Sequence, residues 1–324
     1  MPLSIFVAVI MIQPVISVCI PAYKKPQYVV RCLESILKQT YKQVEVIISD
    51  DSPDEDIKHA IQPYVNKLEI KYFHNIPAFQ SPKNWNIALD RGSGEYLLLM
   101  HQDDWFHSPT ALSEFTTALQ QYKVDFVFCR NTAVGESGTE TILQAIPELL
   151  TDMARKPNHL LRAQVIGPPS NTILKRSVNI RYDEKFIWLV DVDYYSRILK
   201  AGYKYHYIDR HLVSIGLHHD QATEFCRANS DIIFRENIWF AAKLEKDAFK
   251  DILLYDYFWR LIRNGNIRSI KDIVNNKVVE KDIPEVIIHM TKYQIKFPVT
   301  VLRIGLVSKF LMSVNYMQWK FKTN

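Results

Sequence analysis

The first 130 residues alternate short apolar runs with segments of helical periodicity, and this alternation limits the possible folds more than any other feature of the chain. The apolar runs predict strands, and the segments between them predict helices. The predicted strands are Val15–Ile20, Gln43–Ser49, Leu68–Phe73, Tyr96–Met100 and Val124–Cys129, and the predicted helices begin near Pro26, Glu55, Pro82 and Pro109. Strands that alternate with crossover helices indicate an α/β fold whose mainly parallel sheet is covered by helices on both faces.

Two pairs of adjacent carboxylates follow predicted strands. Asp50-Asp51 comes at the end of the second strand, and Asp103-Asp104 follows the fourth in the stretch LLLMHQDDWF. Two unit charges ~4 Å apart repel by about 4 kcal/mol at an effective dielectric near 20, so such a pair needs a bound cation or full hydration in an exposed loop. Ligands of open α/β sheets bind outside the carboxyl ends of the strands. We therefore predict that both pairs converge on one ligand-binding crevice.

The composition is that of an ordinary globular protein and excludes several other classes. Of 324 residues, 48% are hydrophobic and 23% are charged, and the 9 glycines are too few for collagen-like or low-complexity sequence. The net charge of +5 is modest and gives no reason to expect a nucleic-acid partner. The four cysteines have neither C-x-x-C nor zinc-site spacing, so we expect reduced thiols and a cytoplasmic location.

The sequence predicts three parts. Residues 1–14 are an uncertain N-terminal extension, which ends at Pro14, lacks the basic start of a signal peptide and contains no apolar run long enough to span a membrane. Residues 15–228 form the α/β domain, within which residues 131–163 are expected to be a loop with one helix. Residues 229–324 form a helical C-terminal extension.

The end of this extension has an unusual charge pattern. From Thr291 to Asn324 the chain has six basic residues and no Asp or Glu, interleaved with large apolar residues and Trp319. This composition is typical of a segment that lies on an anionic membrane surface, which would make the protein peripheral on the inner face of the membrane. It also fits a packed C-terminal helix whose basic face is solvated, and both interpretations stay open.

Six spaced motifs resemble those of the family 2 glycosyltransferases, which are inverting nucleotide-sugar enzymes of the GT-A fold. The motifs are VCIPAY at 18–23, EVIISDDSPD at 45–54, NWNIAL at 84–89, LLLMHQDDWF at 97–106, WLVDVDY at 188–194 and GLHHDQAT at 216–223. The resemblance covers about two thirds of the chain. It implies a GT-A domain at 15–228, with a nucleotide-sugar-binding half at 15–130 and an acceptor half at 131–228.

The resemblance also implies which residues contact the donor nucleotide. The expected contacts are Pro21, Tyr23, Asp50, Asp51, Asn86, Gln102 and Asp103. Pro21 and Tyr23 belong to a turn that approaches the base, and Asp51 corresponds to the carboxylate that recognises the base, commonly uracil. A carboxylate can accept a hydrogen bond from a ring N–H. The alternative for Asp51 is an acidic residue that only stabilises a turn.

The stretch HQDD resembles the D-x-D-D signature of the family, with His101 in place of the first Asp. The resemblance assigns the divalent cation, Mg²⁺ or Mn²⁺, to Asp103 and implies a further metal or diphosphate contact from His218. Both cations prefer carboxylate and phosphate oxygens. Adjacent residues of a regular strand point to opposite faces, so unless the chain turns at Gln102 we expect Asp104 to lie behind the ligand or against the sugar.

The stretch WLVDVDY resembles the motif that carries the catalytic base, with Val190 in place of a Glu. The resemblance makes Asp191 the base that deprotonates the acceptor hydroxyl. Residues i and i+2 of a helix lie ~200° apart, so Asp193 is expected to make a structural contact or to touch the acceptor, as is Trp188. The alternative is a helix N-terminus that attracts negative charge.

The resemblance implies an inverting transfer of a sugar from a nucleotide-diphosphate donor, which we expect to be UDP-linked, to a saccharide or lipid-linked acceptor in cell-surface polysaccharide assembly. Because His101, Val190 and Gly216 depart from the family pattern, a catalytically weakened nucleotide-sugar-binding protein is the main alternative. A nucleotidyltransferase ranks lower, since the chain has no Gly-rich phosphate loop followed by Lys.

Overall fold

The computed structural model describes residues 15–143 and 146–323, so the predicted extension at 1–14 lies outside the described residues. The described chain forms two compact units. The first unit contains residues up to 143 together with 166–181 and 203–216, and the second contains 146–165, 182–202 and 217–323. The domain boundaries expected near residues 130 and 228 stay predictions.

The first unit contains the strands and four of the helices. Its strands are β1 Ile16–Ala22, β2 Val44–Asp50, β3 Glu69–His74, β4 Tyr96–Leu99, β5 Trp105–Phe106, β6 Phe126–Cys129, β7 Asn131–Gly135, β8 Glu140–Leu143, β9 Thr172–Lys175, β10 Tyr205–Ile208 and β11 Val213–Leu217. Its helices are α1 Pro26–Leu37, α2 Asp56–Ala60, α3 Lys83–Arg91 and α4 Ala111–Gln121. The predicted strands and helices of the first 130 residues are all found, with ends shifted by a few residues. The helix expected around Glu55–Asn66, with Pro63 as a limit, is the short α2, which ends at Ala60.

The main sheet has seven strands in the order β10-β6-β9-β4-β1-β2-β3. Its neighbours pair in parallel except for β9, which runs antiparallel to both β4 and β6. Strand β1 lies between β4 and β2, and its residues from Ile16 to Ile20 are completely buried. This mixed sheet, mainly parallel and flanked by helices, confirms the predicted fold class.

A buried carboxylate joins the central strands at the edge opposite to their carboxyl ends. Glu45 on β2 accepts hydrogen bonds from Ser17 Oγ on β1 at 2.5 Å and from Lys71 Nζ on β3 at 2.5 Å. It also accepts from the backbone N–H groups of Ser93 and Gly94, at 2.5 and 3.1 Å. Burial acts to raise the pKa of Glu45, but these hydrogen bonds outweigh it and lower the pKa to about 2.

Residues 131–163 were expected to be a loop with one helix, and that prediction was incomplete. Strands β7 and β8 form an antiparallel hairpin in a second sheet with the order β5-β11-β7-β8. The hairpin turn contains Gly138 with φ of +80°, a conformation that glycine adopts without strain. These strands are as long as β4 and β6, but their sequences NTAVG and ETIL lack the continuous apolar run that indicated β4 and β6.

The second unit is helical. Its helices are α5 Pro147–Arg155, α6 Val190–Lys200, α7 Ala222–Ala228, α8 Ser230–Ala242, α9 Ile252–Asn264, α10 Ile270–Asn275, α11 Glu285–Gln294, α12 Val299–Leu302 and α13 Gly305–Thr323. Its core contains the fully buried rings of Tyr255, Phe258, Trp259 and Trp319. Over 15–143 and 146–323, we find no helix that combines the length and the apolar character needed to cross a bilayer.

Candidate functional site

The carboxyl ends of three central strands lie at the same edge of the main sheet. Ala22 at the end of β1 pairs with Asp50 at the end of β2, and Cys19 pairs with Leu99 at the end of β4. Because β1, β2 and β4 are parallel, the residues that follow them must emerge on the same side. Asp51 and the stretch from His101 to Asp104 are therefore at one edge, as the sequence predicted.

Asp51 organises the loop that follows β3. Its Oδ1 accepts hydrogen bonds from Asn75 Nδ2 at 2.9 Å and from the backbone N–H of Phe79 at 3.1 Å. Its Oδ2 accepts from the backbone N–H of Gln80 at 2.7 Å. Three donors leave one acceptor direction of the carboxylate for a ligand N–H. Asp51 therefore stabilises this loop, which was the alternative to base recognition. Its carboxylate can still accept one more hydrogen bond.

A polar network lies beneath Asp51, and sequence reasoning missed it. Asn75 Nδ2 donates to Ser49 Oγ at 3.0 Å, and Arg91 donates to Ser49 Oγ at 2.8 Å and to Asn75 Oδ1 at 3.0 Å. Burial lowers the pKa of Arg91, while the charge of Asp51 acts to raise it. Asn75 is one of many isolated Asn residues in the sequence, so no local pattern could have marked it.

The other predicted donor contacts next to Asp51 differ in exposure. Asp50 is completely buried, and its carboxylate accepts from Ser52 N at 2.8 Å and from Tyr72 Oη at 2.7 Å, which makes it a structural residue. Asn86 is buried on α3. Pro21 is half-buried at the end of β1. None of these positions excludes a contact with a nucleotide, and their assignment stays a prediction.

Gln102 connects the turn after β1 with the turn after β4. Its Oε1 accepts a hydrogen bond from Tyr23 N at 2.9 Å, and its Nε2 donates to Tyr23 O at 3.0 Å. The amide therefore mimics one backbone pair of a β-ladder. The ring of Tyr23 is half exposed. In this structure Gln102 positions Tyr23, and Tyr23 has its ring available for a ligand.

The chain turns at Gln102, which brings His101 and Asp104 to the same side. The N–H of Asp104 donates to the carbonyl of His101 at 3.1 Å, and His101 Nδ1 lies 3.9 Å from Asp104 Oδ2. One ligand atom from each of His101, Asp103 and Asp104 lies within 4.8 Å of the other two. The strand geometry that would separate Asp103 from Asp104 thus does not apply, because the strand ends before them.

Asp104 is the more deeply buried carboxylate of this group. Its Oδ1 accepts from the backbone N–H of Gly216 at 2.9 Å, whereas its buried Oδ2 has no hydrogen-bond partner among the described residues. Burial, and then the charge of Asp103, raise the pKa of Asp104 well above its usual range. Burial also lowers the pKa of His101. An unpartnered carboxylate oxygen is costly, so this site favours a cation.

Gly216 allows β11 to approach this turn closely. A Cβ atom at Gly216 would lie 2.4 Å from the carbonyl oxygen of Asp103 and 3.1 Å from Arg31 NH2. The Arg31 guanidinium donates to that same carbonyl at 2.5 Å and lies 3.9 Å from the centroid of the Trp105 ring. The family pattern has Arg where this chain has Gly216, and here only glycine fits.

The donor atoms of this group fit a divalent cation. Two carboxylates are the ligands that Mg²⁺ and Mn²⁺ prefer, and an imidazole is compatible with Mn²⁺. Asp103 and Asp104 would hold such an ion, with His101 close enough to join them. The buried Oδ2 of Asp104 would then gain a partner that none of the described residues supplies.

Asp191 lies in the first turn of α6, in the second unit. Its Oδ2 accepts from Gln164 Nε2 at 3.0 Å, and its Oδ1 accepts from the N–H of Val192 at 2.8 Å. Burial raises the pKa of Asp191 above its usual value, whereas the hydrogen bond from Gln164 acts to lower it. A partly exposed carboxylate with a raised pKa is suited to accept a proton.

Asp193 has a structural role. Its Oδ2 accepts from Arg197 Nε at 2.8 Å, and its Oδ1 forms an ion pair with Lys243. Lys243 also pairs with Asp183 at 3.0 Å. Asp193 is buried and both of its oxygens are occupied by cations. Of the two roles predicted for Asp193, the structural contact is the one that the geometry supports.

Glu236 supports the segment that precedes α6, and the sequence analysis did not identify it. Its buried carboxylate accepts three backbone hydrogen bonds, from Ile187 and Trp188 at 2.8 Å each and from Leu189 at 2.9 Å. These N–H groups precede the helix, so Glu236 acts as a cap supplied by α8. Burial raises the pKa of Glu236, against the effect of these hydrogen bonds. The one sequence feature that could have pointed to Glu236 is its position in the largely apolar stretch IFRENIWF, which suggests a buried carboxylate.

His218 follows β11 in the second unit and is half-buried. Its backbone N–H donates to Gln221 Oε1 at 3.4 Å, at the start of α7. The neighbouring His219 is exposed and pairs with Asp220 at 3.0 Å. The role expected for His218 at the metal or diphosphate stays a prediction.

Comparison with known proteins gives one family and several relatives. The sequence model described as Glycosyl transferase family 2 matches residues 17–183, just over half of the chain. A β-1,3-glucosyltransferase of Campylobacter jejuni, named for GalNAc(5)-diNAcBac-PP-undecaprenol, is 34% identical over 94 residues, which are 28% of this chain and 30% of the relative. The poly(ribitol-phosphate) β-N-acetylglucosaminyltransferase TarS of Staphylococcus aureus is 24% identical over 168 residues, or 51% of this chain and 28% of TarS. The matches thus cover less than a third of either relative.

Two solved structures have the same fold. Staphylococcus aureus TarS 1–349 in complex with UDP-GlcNAc matches 94% of this chain and 92% of that chain, with a TM-score of 0.62 and 18% identity. The mannosyltransferase PcManGT from Pyrobaculum calidifontis, in complex with GDP-Man and Mn²⁺, matches 96% and 87%, with a TM-score of 0.55 and 13% identity. These similarities confirm the GT-A type of sheet that the sequence predicted.

Proposed function

The chain belongs to glycosyl transferase family 2, and on that premise we propose that it transfers a sugar, with inversion, from a nucleotide-diphosphate sugar to a hydroxyl of a saccharide or lipid-linked acceptor. The observation that carries the proposal is the placement of Asp51 and of the pair Asp103 and Asp104 at one edge of the sheet. One carboxylate is suited to a base N–H, and the pair is suited to a cation that binds a diphosphate.

The donor is proposed to be UDP-linked. The structure of TarS that matches this fold contains UDP-GlcNAc, and Asp51 has one acceptor direction left for a uracil N–H. Tyr23, positioned by Gln102, is proposed to contact the base with its half-exposed ring. Pro21, Asp50 and Asn86 complete this end of the site as supporting positions.

A divalent cation, Mg²⁺ or Mn²⁺, is proposed to bind at Asp103 and Asp104, where it would neutralise charge on the departing diphosphate. PcManGT, which shares the fold, is seen with Mn²⁺. In this chain Gly216 and Arg31 maintain the turn that presents both carboxylates. His218 is proposed as a further contact to the ion or to the diphosphate.

Asp191 is proposed as the general base. It takes the proton from the acceptor hydroxyl while the new bond to the sugar carbon forms and the bond to the diphosphate oxygen breaks. Gln164 orients the carboxylate, and Glu236 holds the segment from which α6 begins. General-base assistance of this kind contributes about 10²–10⁴-fold to the rate.

The acceptor is proposed to carry negative charge, as expected for a phosphate-linked saccharide in cell-surface polysaccharide assembly. The names of the Campylobacter and Staphylococcus relatives each mention a phosphate-containing compound, a diphosphate-linked undecaprenol and a poly(ribitol-phosphate). The second unit has a cavity of about 630 Å³ in which lysines outnumber carboxylates; its charged lining residues are Lys185, Lys243, Lys246, Lys281, Asp183 and Asp282. Lysines can bind phosphate groups, and Lys185 is positioned by the Trp239 ring, whose centroid lies 4.2 Å from its Nζ.

The protein is proposed to be cytoplasmic. Its four cysteines are buried free thiols, which suits the reducing cytoplasm.

The test is a panel of nucleotide sugars, each with and without Mn²⁺ or Mg²⁺. A bound donor raises the melting temperature according to its occupancy, so the panel identifies the donor. The identified donor is then used in a sugar-transfer assay with phosphate-linked saccharides. We expect a divalent-dependent stabilisation by a UDP-sugar and release of UDP when an acceptor is present. The absence of both for every donor would contradict the proposal.

A second candidate is a protein that binds the nucleotide sugar without transferring it. His101 and Val190 stand where the family has acidic residues, which favours weaker metal binding and a less acidic catalytic segment. Donor binding in the panel without sugar release for any acceptor would support this candidate.

A further inference from the structure

Helix α13 packs into the second unit through one side only. Trp319, Asn315 and Ser308 on this side are buried to 1% exposure or less. Asn315 accepts a hydrogen bond from Tyr255 Oη at 2.7 Å, and Ser308 accepts from Trp259 Nε1 at 3.1 Å. These contacts fix the rotation of the helix about its axis. Trp319, one of the large side chains of the basic C-terminal stretch, is therefore a core residue, as the packed-helix interpretation of that stretch expects.

The opposite side of α13 presents large apolar side chains to solvent. Leu306 is 85% exposed, Phe310 68%, Met317 47% and Phe321 74%. Their spacing of four, seven and four residues places them within a stripe about 60° wide, because each residue advances about 100° around the helix. We call these four residues the α13 face. Single exposed apolar residues are ordinary, whereas four aligned on one helix indicate an interaction surface.

Basic residues flank the α13 face. Lys309 and Lys320 lie on one border of the stripe, at about 60° and 40° from Leu306 around the helix. Lys322 points elsewhere, since it pairs with Glu285 of α11 at 2.6 Å. Residues 291–324 contain no acidic residue and six basic ones, so this stretch of the chain has a net positive charge.

We propose that the α13 face docks onto the surface of an anionic lipid bilayer, with the helix axis parallel to the membrane plane. The apolar side chains would enter the boundary between headgroups and acyl chains, and the lysines would contact anionic headgroups. Charge complementarity favours this occupant over a second copy of the chain, because two α13 faces in contact would bring lysines of like charge together. The proposal concerns where the protein acts and does not depend on the identity of its donor or acceptor.

Vesicle flotation tests the proposal. The full chain is mixed with vesicles of phosphatidylcholine alone or of phosphatidylcholine with 30–40% phosphatidylglycerol, a composition chosen for its negative charge, and the bound fraction is measured. We expect binding to the anionic vesicles that weakens as salt is added, and little binding to neutral ones. The double variant Phe310→Ser/Phe321→Ser should bind about tenfold more weakly or worse, because two aromatic side chains no longer enter the bilayer.

The matched control is Phe225→Ser on α7, which removes a phenyl ring of similar exposure (57%) outside the α13 face. It should bind as the unmodified protein does. A second variant, Lys309→Glu/Lys320→Glu, leaves the apolar stripe intact and should lose the preference for anionic vesicles. Melting temperatures of all variants show whether they fold. Equal binding by the Phe310→Ser/Phe321→Ser variant and the unmodified protein would overturn the proposal. The proposal would also be overturned if the unmodified protein did not bind vesicles and instead formed a dimer in sedimentation that this variant abolished.

Discussion

The backbone N–H of Gly216 donates a hydrogen bond to Oδ1 of Asp104 over 2.9 Å, which fixes a buried carboxylate against β11. The contact is possible because Gly216 has no side chain, since its Cβ would lie 2.4 Å from the carbonyl oxygen of Asp103. The residue that departs from the family pattern at this position is therefore part of the support for the proposed cation site.

Replacing Gly216 by alanine should displace the turn that carries Asp103 and Asp104. The new Cβ must push the Asp103 carbonyl away, so the hydrogen bond from Arg31 to that carbonyl weakens as well. Disturbed support of metal ligands typically costs 10–100-fold in metal affinity or activity, and we expect a loss in that range. Divalent-ion titration of donor binding measures it. Gly135→Ala is the control, because nothing lies closer than 3.8 Å to its Cβ; an equal loss there would contradict the explanation.

Asp103→Ala and Asp191→Asn should both reduce transfer strongly, but for different reasons. Without the Asp103 carboxylate the cation binds poorly, so donor binding measured by calorimetry with Mn²⁺ should fall. Chelation of the metal should have the same effect on the unmodified protein.

In the Asp191→Asn variant, the amide cannot accept the proton, so the turnover rate should fall by about 10²–10⁴-fold while donor binding is kept. Full transfer by Asp191→Asn would rule out its role as the base.

Gln164→Ala should move the acidic limb of the pH–rate profile to higher pH. A base is active when ionised, so the turnover rate rises as the pH passes upward through the pKa of Asp191, which burial has already raised. The hydrogen bond from Gln164 stabilises the ionised form, and its loss raises that pKa further. The plateau at high pH should change little. A limb that does not move, or that moves to lower pH, would contradict the assignment.

Glu236→Gln should destabilise the start of α6. Both carboxylate oxygens of Glu236 accept backbone N–H groups, three in all. The amide of a Gln side chain has one oxygen, so its NH₂ group would face at least one of these N–H donors. Leaving buried N–H groups without acceptors costs about 1–3 kcal/mol, so the melting temperature should fall. The turnover rate should also fall with little change in donor affinity, because the segment before Asp191 is no longer held. Glu245→Gln, at an exposed position of the same unit, should change neither quantity.

Glu45→Gln tests the electrostatic support of the central strands. The pKa of Glu45 is lowered to about 2 in the folded protein, below the value near 4.3 expected when unfolded. Its ionised form therefore contributes stability above about pH 4.3, and this contribution is lost as the pH falls towards 2. The variant should melt at a lower temperature at pH 7, and the difference from the unmodified protein should shrink in acid. Glu69→Gln, on an exposed side chain of β3, should melt as the unmodified protein at both values.

The regular pattern of the first 130 residues was enough to predict a mainly parallel sheet and to place Asp51 and Asp103 at the ends of strands. Period-2 and period-3.6 patterns are local, and the geometry of parallel strands then brings their carboxyl ends together. The hairpin of β7 and β8 was missed because its strands, NTAVG and ETIL, have no continuous apolar run of the kind that indicated β4 and β6. Asn75 and Glu236 were missed because their partners lie elsewhere in the sequence.

What the sequence by itself determined is the succession of strands and helices and the position of its carboxylates along them. The tertiary structure decided which carboxylate oxygens are already occupied: Asp193 is held by Arg197 and Lys243, whereas one buried oxygen of Asp104 has no hydrogen-bond partner within 15–143 and 146–323. It also decided that Trp319 is in the core and that Phe310 is in solvent, although both lie in one basic, apolar helix. The reason is physical: periodicity fixes which residues share a helix face, but only packing against distant segments decides which face is buried.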